Sequence, residues 1–441
     1  MKNKRSEKNY ILGAGVTGLS AGITSGRKIL ERMPYPGGIC SSYQIDCPDK
    51  RFRAGNRSSK NAFRFEVGGG HWIFGGDKSV VRFIRSLVPI RSYTRNSSVY
   101  FHKLGSIIPF PIQNNLSCLP TDLSKRALSD IIKNHNSAYP PKARKILSLY
   151  LKHNFGATLN DLFFRPFHDK YTANLTNAIA PQDPYKTPID LDRIKAGASD
   201  QAKSKVGYNA TFLYPVGGLN KLVSAMAAKC DIAYRSRVLR ISLKNKMIRL
   251  ESGEDLPYNS ILSTLPLHNM MEMTGLRTSA PDPCTSVLVL NIAGTRGRKC
   301  PRSHWLYTPE SASGFHRTGF YSNVERDFVP GRRKDLVSFY IEFSFRENRK
   351  PSQDKISLIA KRTEAELKRL KWMGDAIICD PTWIDAAYTW SYPDSTWKER
   401  SIKALKAHNI LSIGRYGRWV FQGIAESIKE GLAAGKSFKR R

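Results

Sequence analysis

The residues with the clearest chemical purpose lie near the start of the chain. Gly13, Gly15 and Gly18 follow the short apolar run Tyr10-Ile11-Leu12 in the spacing G-x-G-x-x-G and open a helix-like stretch. Glycine at 13 permits a tight turn, glycine at 15 lets the backbone approach a pyrophosphate, and glycine at 18 lets the helix pack close on the strand. The first N–H groups of that helix and its positive dipole end then face the phosphates. Glu31 closes a second expected strand, Lys28 to Glu31, where a carboxylate accepts hydrogen bonds from ribose hydroxyls. The glycine spacing alone is a weak signal. With the strand before it and the acid after it, it becomes a dinucleotide-binding βαβ unit.

The elements that must position this unit follow from the rest of the chain. Its 441 residues suit two or three domains, and 41% hydrophobic residues supply cores for them. Helical spacing of apolar residues marks Ser79 to Leu87, Leu123 to Asn134, Pro141 to Phe164, Leu219 to Lys229 and Lys355 to Leu370. Strands are expected at Asp231 to Leu243, Lys246 to Glu251, Ile261 to Leu265, Ser286 to Ala293, Leu336 to Phe345 and Ile410 to Ile413, and a last helix from Gly423 to Lys436. Lys186 to Lys205 reads as loop. The fold class is therefore α/β. Residues 1–80, 206–285 and 400–441 are expected to build a Rossmann-like nucleotide domain, 81–205 a mainly helical insert, and 286–399 an antiparallel sheet domain.

Composition narrows the setting. No apolar run approaches the roughly 18 residues of a membrane span, and the glycine-broken run Tyr10 to Gly22 reads as strand and turn, not as a signal peptide. Seven scattered cysteines without a C-x-x-C pair indicate neither a disulfide framework nor a metal site, so a cytoplasmic, reducing setting is expected. The net charge of +35 comes from 71 Lys and Arg against 36 Asp and Glu. Such a field attracts polyanions, yet the basic residues are spread along the chain and no RNA- or DNA-binding motif accompanies them, so no specific nucleic-acid partner is expected.

Glu31-Arg32-(x)4-Gly37-Gly38 resembles the pattern of FAD enzymes of the amine-oxidase and glutathione-reductase type, in which Gly37 and Gly38 would pass close to pyrophosphate and flavin. On that likeness the strand containing Val238 would offer backbone hydrogen bonds to adenine. Gly414, and the helix opening at Gly423, would approach the flavin and stabilise its anionic reduced form. Six segments then carry a more specific likeness: Gly69 to Phe74, Phe163 to Lys170, Tyr214 to Gly218, His304 to Glu310 with Phe315 to Asn323, Trp390 to Pro393, and Gly414 to Trp419. In order and spacing they resemble the UDP-galactopyranose mutase family, especially its longer, eukaryotic-type branch.

The resemblance implies a ring contraction of a UDP-hexopyranose to its furanose, galactofuranose for glycan synthesis being the type case. FAD would act in its reduced form, with NAD(P)H as reductant. Flavin N5 would attack the anomeric carbon and displace UDP, with no net redox change. It assigns His71 to a place beside the isoalloxazine and Arg317 and Arg415 to the diphosphate. Tyr307 and Tyr392 would bind the diphosphate, Arg193 would reach it from a mobile loop, Phe421 would stand in the place of a further diphosphate-binding tyrosine, and Phe167 and His168 would line the nucleotide site. The family usually has asparagine where His168 stands, tryptophan where Thr172 stands and tyrosine where Phe421 stands. The uridine end is thus the altered end, and a related NDP-hexose remains open as substrate. A homo-oligomer is compatible with the pattern. The alternative reading is an FAD-dependent oxidoreductase of the amine-oxidase or protoporphyrinogen-oxidase type, which would need no paired arginines.

Overall fold

The computed structural model describes residues 8–46, 51–52, 61–182, 189–199, 210–346 and 349–439. Five parallel strands form one sheet in the order Ile232–Ala233, Lys28–Leu30, Asn9–Leu12, Ser260–Ser263, Ile410–Ser412. Both faces of a parallel sheet are covered, and Ile11, Leu12, Ile29, Ile261 and Leu262 are almost wholly enclosed. The strand order reverses at Asn9–Leu12, whose neighbours on its two sides come from Lys28–Leu30 and Ser260–Ser263. In such sheets, ligands bind beyond the strand C-termini at the reversal. Gly13 to Gly18 occupy that place.

Helix Val16–Ser25 covers this sheet, and the C-terminal helix Ile424–Lys439 lies along it. Glycines set the spacing between them. A Cβ on Gly431 would overlap the Thr17 carbonyl oxygen, and one on Gly435 would overlap the Ala21 carbonyl and the Thr24 hydroxyl. Thr24 Oγ1 also donates to the Leu432 carbonyl at 3.0 Å. Residues from the two ends of the chain thereby build one layer.

A second sheet has seven strands in the order Met373–Thr389, Cys284–Arg296, Leu336–Phe345, Arg317–Phe320, Trp305–Tyr307, Ser97–Phe101, Ser106–Pro109. All its pairings are antiparallel except that of Trp305–Tyr307 with Ser97–Phe101. Period-two alternation divides its side chains. Leu288, Leu290 and Ile292 join Phe339, Ile341 and Phe343 in one core, closed by Ile356 and Leu367 of helix Gln353–Arg369. Val287, Val289, Tyr340, Trp305 and Tyr307 belong to the main core on the opposite face. By the same alternation Arg317 and Glu342 share that opposite face. Helices Thr121–His135, Leu147–Leu159 and Arg165–Tyr171 pack into the same core through Ile131, Leu151, Phe155 and Phe167.

Two stretches differ from the sequence reading. Residues 90–109, inside the expected helical insert, contain three strands, because Ile90–Thr94 pairs with Thr211–Pro215 and the alternating Ser97-Ser98-Val99-Tyr100-Phe101 enters the large sheet. Leu191–Ala198, expected as loop, is a helix: the Asp190 carboxylate caps it by accepting from the Arg193 N–H, and Ile194 and Gly197 are buried beneath it. Among the described residues no helix is long and apolar enough to cross a membrane.

The glycine seam yields a first test. Gly435→Ala, which would place a methyl group against Ala21 and Thr24, is expected to cost about 1–3 kcal/mol and to lower Tm in a thermal melt. An unchanged Tm would mean the two helices are free to separate.

Candidate active site

The first part of the site is built almost entirely from backbone. Gly13 has φ +93°, and a Cβ on Gly18 would overlap the Gly13 carbonyl oxygen, so the turn requires both glycines. Helix Val16–Ser25 starts at Gly15 with no side chain capping it, leaving its first N–H groups to a ligand. A second bare loop lies against the first. Gly37 and Gly38 have φ +105° and +55°, the Gly37 N–H donates to the Ala14 carbonyl at 2.8 Å, and Gly15 and Gly37 form an isolated parallel bridge. A Cβ on Gly15 would meet nothing within 4 Å, so the space beside this turn is open. Glu31 is buried, with one oxygen accepting from Ala14 N–H at 2.7 Å and the other from Met33 N–H at 2.8 Å. The Glu31 carbonyl accepts from Ser236 N–H, which brings the segment leading into Val238 beside it. Gly414, φ +77°, approaches Thr17, and the Gly423 N–H is capped by Glu426 at 2.7 Å where the C-terminal helix begins. Two bare loops, an uncapped helix start and a buried acid at the sheet's switch point fit a dinucleotide.

The second part is a row of side chains across the large sheet. Tyr307 pairs with Arg317, and Arg317 with Glu342, on adjacent strands. Directly opposed side chains lie about 5 Å apart at Cβ, so register alone brings a phenol, a guanidinium and a carboxylate together. Arg317 Nη1 meets Glu342 Oε1 at 3.4 Å, with Glu342 buried and the Arg317 side chain only 13% exposed, and its guanidinium lies 5.3 Å from the ring centres of Trp305 and Tyr340. Its Nε has no partner. Tyr388 donates to the other Glu342 oxygen at 3.3 Å. Burial, with Glu342 adding to it, holds the Tyr388 phenol well above its ordinary range, so it stays protonated as a donor.

Arg415 completes the group from the parallel sheet. It follows Ile410–Ser412, donates to the carbonyls of Gln422 and Ala387 at 3.2 Å, and covers the rings of Phe421 at 4.7 Å and Tyr388 at 5.7 Å. It makes no ion pair among the described residues, and its Nε is buried without a partner. The loop Gly68 to His71 closes over Tyr340: a Cβ on Gly70 would overlap the Tyr340 hydroxyl, and one on Gly68 the His71 ring. His71 is pushed down to about 4 by burial and then by Arg415, which outweigh the opposing pull of Glu342. Its imidazole is neutral at pH 7, with a buried Nδ1 that has no partner. Phe167 packs on Tyr307 at 5.1 Å, and Tyr171 on Tyr388 at 4.6 Å, as an apolar wall.

The residues expected from sequence thus divide. Tyr307, Arg317, Arg415, His71, Phe167 and Phe421 converge. Tyr392 does not join them: it is 39% exposed in the turn after Met373–Thr389, held through its backbone N–H by Asp282. The strand delivers Tyr388 instead. His168 lies behind Phe167 and Tyr171, its Nδ1 2.7 Å from the Phe164 carbonyl. Arg193 sits on its short helix with Nε 3.1 Å from Asp190, about half exposed. Glu342 and Tyr388 were missed. The signal available for Glu342 was a lone carboxylate within the apolar strand LVSFYIEFSF, since an unpaired charge is rarely buried there.

Two tests follow from this geometry. Gly15→Ala should fold normally and retain less cofactor after purification, whereas Gly18→Ala should lower Tm as well. For His71, the unfolded imidazole takes up a proton near pH 6.5 and the folded one only near 4. Stability is therefore lost as pH falls through that window, and His71→Gln should remove about one proton from the slope of unfolding free energy against pH. An unaltered slope would show the ring to be solvated.

Comparison with known proteins agrees with the architecture. A family model described as flavin containing amine oxidoreductase matches residues 28–370. Among solved structures, reduced UDP-galactopyranose mutase superposes with a TM-score of 0.82 at 24% identity, over 98% of this chain and 95% of that one. A protein from Exiguobacterium sp. 255-15 described as a protoporphyrinogen oxidase gives 0.70 at 14%, over 99% of both chains. A fatty acid isomerase from P. acnes gives 0.58 at 13%, over 99% and 98%. These likenesses speak for the fold. The bare-loop cradle and the family match together place the chain in the flavin containing amine oxidoreductase family, with FAD as its cofactor.

Proposed function

We propose that this flavoenzyme is a nucleotide-sugar mutase that interconverts UDP-galactopyranose and UDP-galactofuranose, or a related NDP-hexose pair. The observation that carries the reading is the convergence of two guanidiniums near Tyr388, Arg415 over its ring and Arg317 on the Glu342 carboxylate to which Tyr388 donates, each with a buried Nε that lacks a partner. Buried cations call for an anion, and guanidiniums match phosphate oxygens. An amine substrate would bring a further positive charge to the same place, which disfavours the amine-oxidising alternative. The mutase neighbour supports the same reading.

In this reading the cradle of Gly13, Gly15, Gly18, Gly37 and Gly38 holds the FAD pyrophosphate, and Glu31 the ribose. When reduced, the flavin supplies a nucleophilic nitrogen for the anomeric carbon without net redox change. The protein's own work is electrostatic. Arg317 and Arg415 bind the substrate diphosphate and stabilise the charge that grows on it as the glycosidic C–O bond breaks. Tyr307 donates a hydrogen bond to the same oxygens, and Tyr388 donates to Glu342. Glu342 fixes the Arg317 fork. Neutral His71, fed by no mobile proton near pH 7, presents an imidazole to the flavin without adding a cation to the pocket. Phe167 and Tyr171 exclude water, which keeps the sugar from hydrolysis.

The dithionite-reduced, FAD-loaded protein should convert UDP-galactofuranose to the pyranose without consuming reductant. Arg317→Ala should lower kcat/KM roughly 100-fold while FAD stays bound. Amine-dependent release of hydrogen peroxide, with no sugar conversion, would overturn the proposal.

A further inference from the structure

Far from the flavin pocket, the ends of two strands of the large sheet bring together cations that lack acids. Segments 296–302 and 325–335 contain Arg296, Arg298, Lys299, Arg302, Arg326, Arg332, Arg333 and Lys334 against Glu325, Asp327 and Asp335. Each of these acids is already engaged. Asp327 pairs with Arg332, Asp335 with Arg333, and buried Glu325 with Arg64 and Arg91. Arg296 and Arg326 make no ion pair among the described residues.

The two arginines lie on neighbouring segments, since the Arg296 guanidinium is bonded to Asn323, three residues before Arg326. Burial, and then the charge of Arg296, hold Arg326 below the ordinary arginine range. Arg326 Nη1 is buried and has no hydrogen-bond partner. Arg296 is fixed in place. Its Nη1 and Nη2 both donate to Asn323 Oδ1 at 3.2 Å, and Nη2 also to the Pro301 carbonyl at 3.4 Å. Asn323 is itself locked by donating to the carbonyls of Pro301 at 2.8 Å and Ser303 at 2.7 Å. The nearby thiol of Cys300 supplies no counter-charge, because burial raises it to about 11. Two partly buried guanidiniums, one rigidly oriented and one with an unused buried donor, repel each other unless an anion lies between them.

We propose that Arg296 and Arg326 form a second anion site that binds a small tetrahedral oxyanion of the phosphate class. It is separate from the substrate clamp. Thr295 pairs with Leu336 and Val289 with Glu342, so Arg296 lies seven residues along the sheet from the partner of Glu342, about 23 Å at the rise of a strand. An oxyanion there would accept from Arg326 Nη1 and from the outward edge of the Arg296 fork. It would tie the segment carrying Arg326 to the end of strand Cys284–Arg296.

The test uses the full-length, FAD-loaded protein titrated with inorganic phosphate against sodium chloride of matched ionic strength. A saturable rise in Tm with phosphate but not chloride is expected in the wild type. It should persist in Arg317→Ala, which disables the substrate clamp. In Arg326→Gln the apparent phosphate affinity should fall at least tenfold. Arg326 contributes no side-chain hydrogen bond or ion pair to the described fold, so this variant should fold, and Arg296→Gln serves as the second arm. No saturable rise in the wild type, a rise undiminished in Arg326→Gln, or a rise lost in Arg317→Ala but kept in Arg326→Gln would each overturn the proposal.

Discussion

Burying two guanidiniums in one pocket is costly, and the arrangement around Arg317 and Arg415 is organised by that cost. Glu342 neutralises one of them at 3.4 Å, while Arg415 has only carbonyls and aromatic faces. Breaking a buried ion pair costs more than forming it returns, so Glu342 must be held rigidly, and antiparallel register between Leu336–Phe345 and Arg317–Phe320 does so. Burial, reinforced by the charge of Arg415, keeps His71 neutral, and the Nε donors of both arginines are buried and unused. The proposed diphosphate substrate would answer this imbalance.

The flavin part follows a different logic. It depends on side chains that are missing, since Gly13, Gly15, Gly18, Gly37 and Gly38 let two loops approach each other through backbone alone. The two parts come from different sheets. Arg415, one residue past Gly414, joins them, because it leaves the end of the parallel sheet and covers Tyr388 of the antiparallel one. The glycine seam holds helices Val16–Ser25 and Ile424–Lys439 in close contact.

What the sequence revealed depended on how local the signal was. The Gly13 to Glu31 unit is a local motif, and its strand, turn and helix stand where the spacing put them. Arg317 and Arg415 were recognisable within short motifs whose neighbours also matched. Glu342 and Tyr388 were not, because their meeting depends on a register between strands far apart in sequence. Choosing Tyr392 over Tyr388 turns on where the strand ends, at Thr389, and strand ends are poorly marked in a run as irregular as 373–389. Residues 90–109 were hidden for a similar reason: short strands are stabilised by the sheet they join, not by their own pattern.

The central claim is that Arg317 and Arg415 act on one diphosphate. A double-mutant cycle on UDP affinity, using Arg317→Lys and Arg415→Lys in the FAD-loaded protein and isothermal titration, reads this directly. Each single change should weaken UDP, and the two should be non-additive by about 1 kcal/mol, since both forks hold the same group. UDP affinity unchanged in both variants would contradict a shared phosphate clamp.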